Sequence, residues 1–352
     1  LIVNGVECEP FITCDERNMY ENAETILRGC QWAQRAAGAK TVWFTMRDDM
    51  TTAIKTMRAA IEQLNDPSIQ LILVSHRYPQ GSEHQLIESL TGQPQPANTL
   101  PQALGLVMIN VGTATAIERA ARGLPLTSRL ITICGEAVPT PGNYRVRIGT
   151  TLNDLLRALD MSQLDLNALD IIVGGPLTGR RIDALDIAVT KGTQCVLINH
   201  TEAVAKNPTT LACIRCGSCD DVCPQRLSPQ SLYRQAPHQR WSQMQALDLD
   251  QCIECGCCDL VCPSQLPLTR VFKDAKTAIT QQTVDQTRSH KNRQRFEAKQ
   301  ARVASTTLNN QLTSPLAVIA GGRDPKQVID DIVKRSQSDE NMDSDSPKQN
   351  KS

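Results

Sequence analysis

The chain has 352 residues and carries 37 basic and 37 acidic side chains, so its formal net charge is zero. A neutral chain lacks the basic field that attracts nucleic acid, and 3% aromatic residues supply few stacking platforms for single strands, so we expect no nucleic-acid partner. No apolar run reaches the roughly 18 residues of a membrane-spanning helix, whereas the length suffices for two or three domains, each with its own core.

The first predicted elements, up to about residue 125, are strands that alternate with helices. This order predicts an α/β fold with a parallel sheet covered by helices. The chain opens inside an apolar strand and not at Met, so we expect residues 1–125 to lack the N-terminal part of their domain. The predicted strands are 1–4, 40–45, 69–74 and 104–110, and the predicted helices are 20–37, 51–64, 83–90 and 113–122.

The next stretch, 126–204, changes character. Short predicted strands at 129–134, 144–148, 171–173 and 195–199 surround one helix at 151–159, which indicates a small α+β module. The glycine-rich turn at 174–179 precedes no convincing helix, so we interpret it as a loop.

Nine of the fourteen cysteines lie between Cys213 and Cys262, in a duplicated pattern. The two copies read CIRCGSCDDVCP and CIECGCCDLVCP, with the C-x2-C-x2-C-x3-C-P spacing of bacterial two-cluster ferredoxins. In that arrangement three thiolates hold one 4Fe–4S cluster and the fourth reaches the other cluster. The sequence therefore predicts one set of Cys213, Cys216, Cys219 and Cys262, and a second set of Cys252, Cys255, Cys258 and Cys223.

A zinc site is the alternative for these cysteines. Zinc usually takes four ligands from two separated cysteine pairs, which eight cysteines in two runs fit poorly. The ninth cysteine, Cys257, is interpreted as a bystander beside Cys258 and not as a ligand. We place the two-cluster ferredoxin-like domain at 205–276 and a charged tail at 277–352. Within the tail we expect a helix at 281–301 and disorder from residue 338.

Polar residues follow three of the predicted strands. Asn4, Glu7 and Glu9 come directly after the first strand, where open α/β sheets bind ligands, and their carboxylates could accept bonds from ribose hydroxyls. The plainer interpretation is a polar loop that caps the next helix. Glycine turns before Glu83 and at Asn110 start helices, and a helix N-terminus after such a turn suits a phosphate or a flavin edge.

These stretches resemble the C subunit of the Rnf (Rsx) electron-transport complex, an ion-translocating oxidoreductase. The matching segments are VNGVECEPFIT, YPQGSEHQLIESLTG, INVGTATAIERAARG, GEAVPTPGNYRVRIGTTLNDLL, GGPLTG and the duplicated cysteine runs, which together span about residues 1–275. The NxxExEP pattern at 4–10 is also similar, more distantly, to the flavin-carrying subunit of respiratory complex I.

The resemblance implies cofactors and site residues. FMN and the substrate NADH would bind in the first domain, with Asn4 and Glu7 at the flavin, Glu9 and Glu83 at the nicotinamide nucleotide, and Asn110 and Thr113 at the flavin phosphate or ring. Residues 126–204 resemble the β-grasp module of both families. The family's glycine-rich flavin loop lies upstream of Asn4, so tight FMN binding is expected of a longer protein.

The resemblance also implies partners and a location. These are the other Rnf subunits, including integral-membrane ones, with NADH and ferredoxin, and a peripheral position on the cytoplasmic side of the bacterial inner membrane. Two alternatives stay open. One is a cobalamin reductase of the microcompartment type, which carries the same cluster motifs, and the other is a non-enzymatic electron-transfer scaffold.

Overall fold

The computed structural model describes residues 1–96, 98–161, 168–201, 210–313, 321 and 323–342. The chain forms two compact units, Leu1–Thr277 and Ala278–Ser352. The three stretches predicted from the sequence at 1–125, 126–204 and 205–276 all lie in the first unit.

A four-stranded parallel sheet forms the first part of that unit. Its strands are β1 (Ile2–Gly5), β2 (Val42–Arg47), β3 (Ile69–Val74) and β4 (Met108–Asn110), in the order β3-β2-β1-β4. The register pairs Asn4 of β1 with Asn110 of β4. Since the chain adds β2 and β3 on one side of β1 and then returns to add β4 on the other, a crevice opens between β1 and β4 at the carboxyl ends of the strands.

Helices cover both faces of this sheet, because alternate residues of a strand point to opposite sides. Val3 packs in a core with buried residues of several helices, whereas Ile2 packs with Leu86 and Ile87 on the other face. The predicted helix at 20–37 is two helices, broken at Asn22. The helices are α1 (Cys14–Glu21), α2 (Ala23–Ala37), α3 (Thr51–Leu64), α4 (Glu83–Thr91) and α5 (Val111–Ala121).

The predicted strand 104–110 is shorter than expected. Pro101–Leu104 forms a 3-10 helix that ends at Gly105 with a φ of 69°, so only Met108–Asn110 remains extended. The strand therefore ends directly at Asn110, whose side chain caps α5 by accepting a bond from Gly112 N–H at 2.7 Å.

Helices α2 and α5 meet at Gly29. A Cβ added there would lie 1.9 Å from the carbonyl oxygen of Ala114. We expect Gly29→Ala to lower the free energy of unfolding by about 1–3 kcal/mol, because the helices must separate, although alanine is the better helix former. Urea denaturation measures this. Gly142→Ala is the control, since a Cβ at that position meets only a Tyr144 carbon at 3.8 Å. A Gly29→Ala variant as stable as wild type would contradict the close packing of α2 against α5.

A five-stranded mixed sheet forms the second part. The strands are β5 (Ser128–Cys134), β6 (Gly142–Arg147), β7 (Leu169–Val173), β8 (Arg180–Ile182) and β9 (Cys195–His200), in the order β6-β5-β9-β7-β8, packed on α6 (Leu152–Ala158). The sequence predicted four strands and missed β8. Its two arginines carry no strand signal, and β8 forms by pairing antiparallel with β7 across the glycine turn.

Short helices surround the cysteines, and longer ones follow. They are α7 (Ser218–Asp221), α8 (Pro229–Gln235), α9 (Trp241–Ala246), α10 (Cys257–Leu260), α11 (Leu268–Thr313) and α12 (Pro325–Met342), with 3-10 turns at Ala236–His238 and Leu249–Gln251. Helix α11 is longer than the predicted 281–301, and its residues 281–306 are exposed. Helix α12 continues to Met342 into the segment predicted to be disordered, and 343–352 lie outside the described residues. Among the described helices, none combines the length and apolar character needed to cross a membrane.

Candidate functional site

A polar cleft of about 300 Å³ lies at the crevice between β1 and β4. Four of the six predicted ligand residues line it, namely Asn4, Glu7, Glu9 and Asn110. Glu83 and Thr113 are exposed, in the first turns of α4 and α5, and do not line it. The other lining residues are Val6, Cys8, Ile12, Asp15, Tyr78, Pro79, Gly81, Ser82, Thr178, Gln194, Ile253 and Cys255.

Asn4 fixes one wall of the cleft. Its Nδ2 donates to the carbonyl oxygen of Gly81 at 2.9 Å, and its Oδ1 accepts from the N–H of Val6 at 2.9 Å. A Cβ on Gly81 would lie 2.0 Å from the Val6 carbonyl oxygen, so only glycine allows this approach. The loop before α4 is therefore held against the end of β1.

Glu7 is buried beneath the cleft. Its carboxylate accepts from the N–H groups of Asp15 at 2.9 Å and Glu16 at 3.2 Å, in the first turn of α1. The plainer interpretation of this loop, as a helix cap, thus describes what Glu7 does in the structure. Burial raises the pKa of Glu7 to about 8, with a further contribution from the nearby charge of Asp15.

Asp15 is a second buried carboxyl group beside Glu7. Burial raises its pKa, while Asn110 Nδ2 donates to it at 2.6 Å. Sequence reasoning missed Asp15, since an aspartate in the first turn of a helix has an ordinary structural explanation. The pair gives the cleft floor the capacity to hold a proton near neutral pH.

Glu9 connects the two sheets. It accepts from the N–H groups of Leu177 at 2.8 Å and Thr178 at 2.9 Å, and from Thr178 Oγ1 at 3.1 Å. A Cβ on Gly175 would lie 1.9 Å from Glu9 Cγ. The glycine turn, interpreted from sequence as a plain loop, therefore closes around this carboxylate and brings Thr178 into the cleft.

Tyr78 connects the cleft to the second cysteine motif. Its hydroxyl donates to the carbonyl oxygen of Cys255 at 2.6 Å, and burial raises the pKa of the phenol. Gln85 Nε2 likewise donates to the carbonyl oxygen of Pro224 at 3.1 Å. Ile253 and Cys255 line the cleft, and no residue of the first motif does so among the described lining residues.

The eight predicted cluster cysteines line two separate cavities in crossed sets. One cavity contains Cys223 with Cys252, Cys255 and Cys258, and the other contains Cys262 with Cys213, Cys216 and Cys219. This is the grouping expected from the ferredoxin spacing, and the assignment of each cysteine as a ligand stays a prediction. Cys257, interpreted from the sequence as a bystander, also lines the first of these cavities.

The surroundings of these sulfurs suit iron–sulfur clusters. The N–H of Leu227 points at Cys223 Sγ at 3.4 Å, and the N–H of Leu266 points at Cys262 Sγ at 3.5 Å. Hydrogen bonds from backbone amides to ligand sulfurs are among the features that tune such clusters. Each cavity contains the four thiols of one predicted set, the fourth with an amide donor, and four thiols are the donor set that a 4Fe–4S cluster requires.

Comparison with protein families assigns a description to each part. The family model of the Nuo51 FMN-binding domain matches residues 1–119, that of the SLBB domain matches 130–159, and that of the 4Fe-4S dicluster domain matches 209–266. These matches confirm the predicted fold classes and support FMN and iron–sulfur clusters as cofactors.

Curated relatives share one name, that of the C subunit of the ion-translocating oxidoreductase complex. The protein of Haemophilus influenzae strain 86-028NP is 40% identical over 304 residues, which cover 86% of this chain and 45% of the relative. The protein of Pectobacterium carotovorum is 38% identical, and the match covers 96% of this chain and 45% of the relative. The protein of Yersinia pestis strain Antiqua is 36% identical, and the match covers 95% of this chain and 54% of the relative. The chain thus spans about half the length of the curated relatives it matches.

Solved structures with a similar fold come from an NAD+-reducing [NiFe]-hydrogenase. The air-oxidized form has a TM-score of 0.51 and 21% identity, covering 68% of this chain and 47% of that one. The H2-reduced form has a TM-score of 0.54 and 20% identity, covering 78% of this chain and 53% of that one. At these identities the likeness shows the fold alone. The curated relatives, in contrast, confirm the resemblance found in the sequence: over most of its length the chain is 36–40% identical to proteins named as the C subunit of the ion-translocating oxidoreductase complex.

Proposed function

We propose that this chain is the electron-carrying part of a peripheral oxidoreductase subunit of a membrane-bound ion-translocating complex. It would take electrons from NADH at a flavin site in the cleft and pass them through two 4Fe–4S clusters to partner subunits. The observation that carries this proposal is the shared wall of the cleft, where Glu7 and Asn110 line the same space as Cys255.

The cleft suits a bound flavin in position and chemistry. It lies at the topological switch point of the parallel sheet, where α/β folds bind ligands, and its volume is at the lower end of the range for small-molecule sites. Bound FMN supplies the conversion of a hydride's electron pair into single electrons, which bound clusters carry one at a time. The matching family model for residues 1–119 supports the same assignment.

The residues of the cleft have different proposed roles. Asn4 and Asn110 hold the ends of β1 and β4 in place, Glu7 and Asp15 retain a proton under the site, and Glu9 fixes the glycine turn. The proposed roles of Glu83 and Thr113 rest on the resemblance, because both lie outside the lining of the cleft.

The second cysteine motif is the proposed point of entry for electrons. Cys255 and Ile253 belong to it and line the cleft, and Tyr78 joins its backbone to the loop before α4. The set with Cys213, Cys216, Cys219 and Cys262 then lies further along the path, toward the partners.

The proposed partners are the integral-membrane and other subunits of the complex, with ferredoxin as a further electron carrier. We place the protein on the cytoplasmic side of the bacterial inner membrane, and we propose functional parts at 1–125, 126–204, 205–276 and 277–352. The names of the curated relatives support membership in a complex.

NADH-driven reduction of the clusters tests the proposal. Protein that also carries the upstream flavin loop implied by the resemblance is reconstituted anaerobically with iron, sulfide and FMN, mixed with NADH, and followed by cluster absorbance and by electron paramagnetic resonance. We expect NADH to reduce the clusters, and we expect Asn110→Ala to slow the reduction by about tenfold, equivalent to one hydrogen bond. Asn153→Ala is the matched control, since Asn153 is exposed on α6, away from the cleft.

Other outcomes would favour the alternatives. Clusters that dithionite reduces but NADH leaves oxidised would indicate a scaffold without a nucleotide site. Rapid reoxidation of the reduced chain by cob(III)alamin would favour the cobalamin reductase.

A further inference from the structure

The bridging segment, residues 78–88, contains the loop before α4 and the first part of that helix. It is held at the cleft, because the carbonyl oxygen of Gly81 accepts from Asn4 Nδ2 at 2.9 Å. Leu86 and Ile87 are fully buried and pack in one core with the first residue of β1. The bridging segment therefore has a fixed position relative to β1.

Two side chains of the bridging segment donate to the backbone of the cysteine motifs. The Tyr78 hydroxyl donates to the carbonyl oxygen of Cys255 at 2.6 Å. Gln85 Nε2 donates to the carbonyl oxygen of Pro224 at 3.1 Å. Pro224 directly follows Cys223, and Cys223 lines the same cavity as Cys255. The bridging segment thus contacts both motifs at the second set of cysteines.

The duplication provides a comparison with the first set. In the repeated pattern, Cys216 is the equivalent of Cys255, and Pro263 is the equivalent of Pro224. Among the described residues of 1–125, none donates to the carbonyl oxygen of Cys216 or of Pro263. Cys216 is exposed instead. The two hydrogen bonds are therefore not a general feature of the motif, and they occur at the set that adjoins the cleft.

We propose that Tyr78 and Gln85 are positioning residues for electron transfer from the cleft to the second set. Their hydrogen bonds hold the backbone beside Cys255 and Cys223 at a fixed distance from the cleft. A misplacement of about 1 Å between reacting groups can slow a step by about a hundredfold, so a fixed position favours the transfer.

This inference rests on the proposed function and deepens it. In that function NADH delivers a hydride at the flavin site, its two electrons reduce the two clusters by one electron each, and the proton is released. The bridging segment would act on the passage of these electrons to the second set and not on the delivery of the hydride.

Two substitutions remove one donor each and keep the approximate size of the side chain. They are Gln85→Met and Tyr78→Phe, and the matched controls are Gln63→Met and Tyr20→Phe, at exposed positions on α3 and α1. Gln85 does not line the cleft, whereas Tyr78 does, so Gln85→Met separates positioning from flavin binding. All variants are reconstituted with iron, sulfide and FMN in the protein that carries the upstream flavin loop.

Rapid mixing with NADH follows the two steps separately. Absorbance measures flavin reduction, and freeze-quench electron paramagnetic resonance measures cluster reduction. We expect Gln85→Met to reduce its flavin at the wild-type rate and its clusters about tenfold more slowly, with full iron. Tyr78→Phe should also slow cluster reduction, and both controls should behave as wild type.

Amide hydrogen exchange of the oxidised, cluster-loaded protein is a measurement that needs no electron transfer. Because one hydrogen bond is lost, we expect amides at 223–228 in Gln85→Met and at 252–258 in Tyr78→Phe to exchange about fivefold faster. Amides at 213–219, around the first set, should exchange as in wild type.

The outcomes separate this inference from the proposed function. Cluster reduction at the wild-type rate in both variants, with or without faster exchange, would overturn the positioning role. Loss of iron in either variant would make the contact a requirement for cluster binding and would overturn it too. If NADH leaves the flavin oxidised, the proposed function is refuted, and photoreduction of the flavin with EDTA then compares the variants. A protein that binds no flavin would refute both.

Discussion

Cys223→Ala is expected to remove the cluster of the second motif, although Cys223 belongs to the first. Its sulfur shares a cavity with Cys252, Cys255, Cys258 and the predicted bystander Cys257, so its loss leaves three of the four predicted ligands. We expect iron to fall from about eight to about four per chain. Because this set adjoins the cleft, the remaining cluster should no longer be reduced by NADH, while dithionite still reduces it.

Cys262→Ala is the reciprocal variant. It should also retain about four irons, but its remaining cluster lies at the cleft and should still accept electrons from NADH. Cys257→Ala is the control, with full iron expected. If each motif bound its own cluster without crossing, the two variants would exchange their NADH behaviour, and the crossed assignment would be wrong.

Glu7→Gln is expected to remove a pH-dependent part of the stability. Burial raises the pKa of Glu7 from 4.5 to about 8. Between these values the unfolded chain loses the proton that the folded chain retains, so the free energy of unfolding falls as pH rises, by up to about 1.4 kcal/mol per pH unit. This component is fully present below the unfolded pKa and is lost as pH rises through the folded pKa.

Urea denaturation between pH 5.5 and 8.5 measures this effect. The wild-type free energy of unfolding should decline more steeply with pH than that of Glu7→Gln, because the amide does not titrate. Asp15 contributes with the same sign in both proteins, since burial raises its pKa as well. Glu62→Gln is the control, because Glu62 is exposed on α3. Parallel curves for wild type and Glu7→Gln would contradict a protonated Glu7.

Local patterns in the sequence predicted what local interactions determine. Apolar periodicity gave the order of strands and helices of the first sheet, and the cysteine spacing gave the sets that the two cavities contain. The position of Asn4 near the end of a strand also followed from local order. These features depend on residues close together in the chain, so a single sequence is enough to predict them.

The missed parts of the site depend on contacts between distant residues. The turn around Gly175 closes on Glu9, and Tyr78 reaches the backbone of Cys255, each across more than a hundred residues. A glycine turn and a tyrosine before a proline have no local property that identifies such partners. Glu83 and Thr113 matched the family pattern, but their places in the first turns of α4 and α5 leave both exposed.

The metal content of the anaerobically purified chain tests the central claim most directly. Iron, acid-labile sulfide and zinc are measured together, before and after reconstitution. Two 4Fe–4S clusters predict about eight irons and eight sulfides per chain with little zinc. Zinc that persists at these cysteines in place of iron, even after reconstitution, would contradict the clusters and the electron path that depends on them.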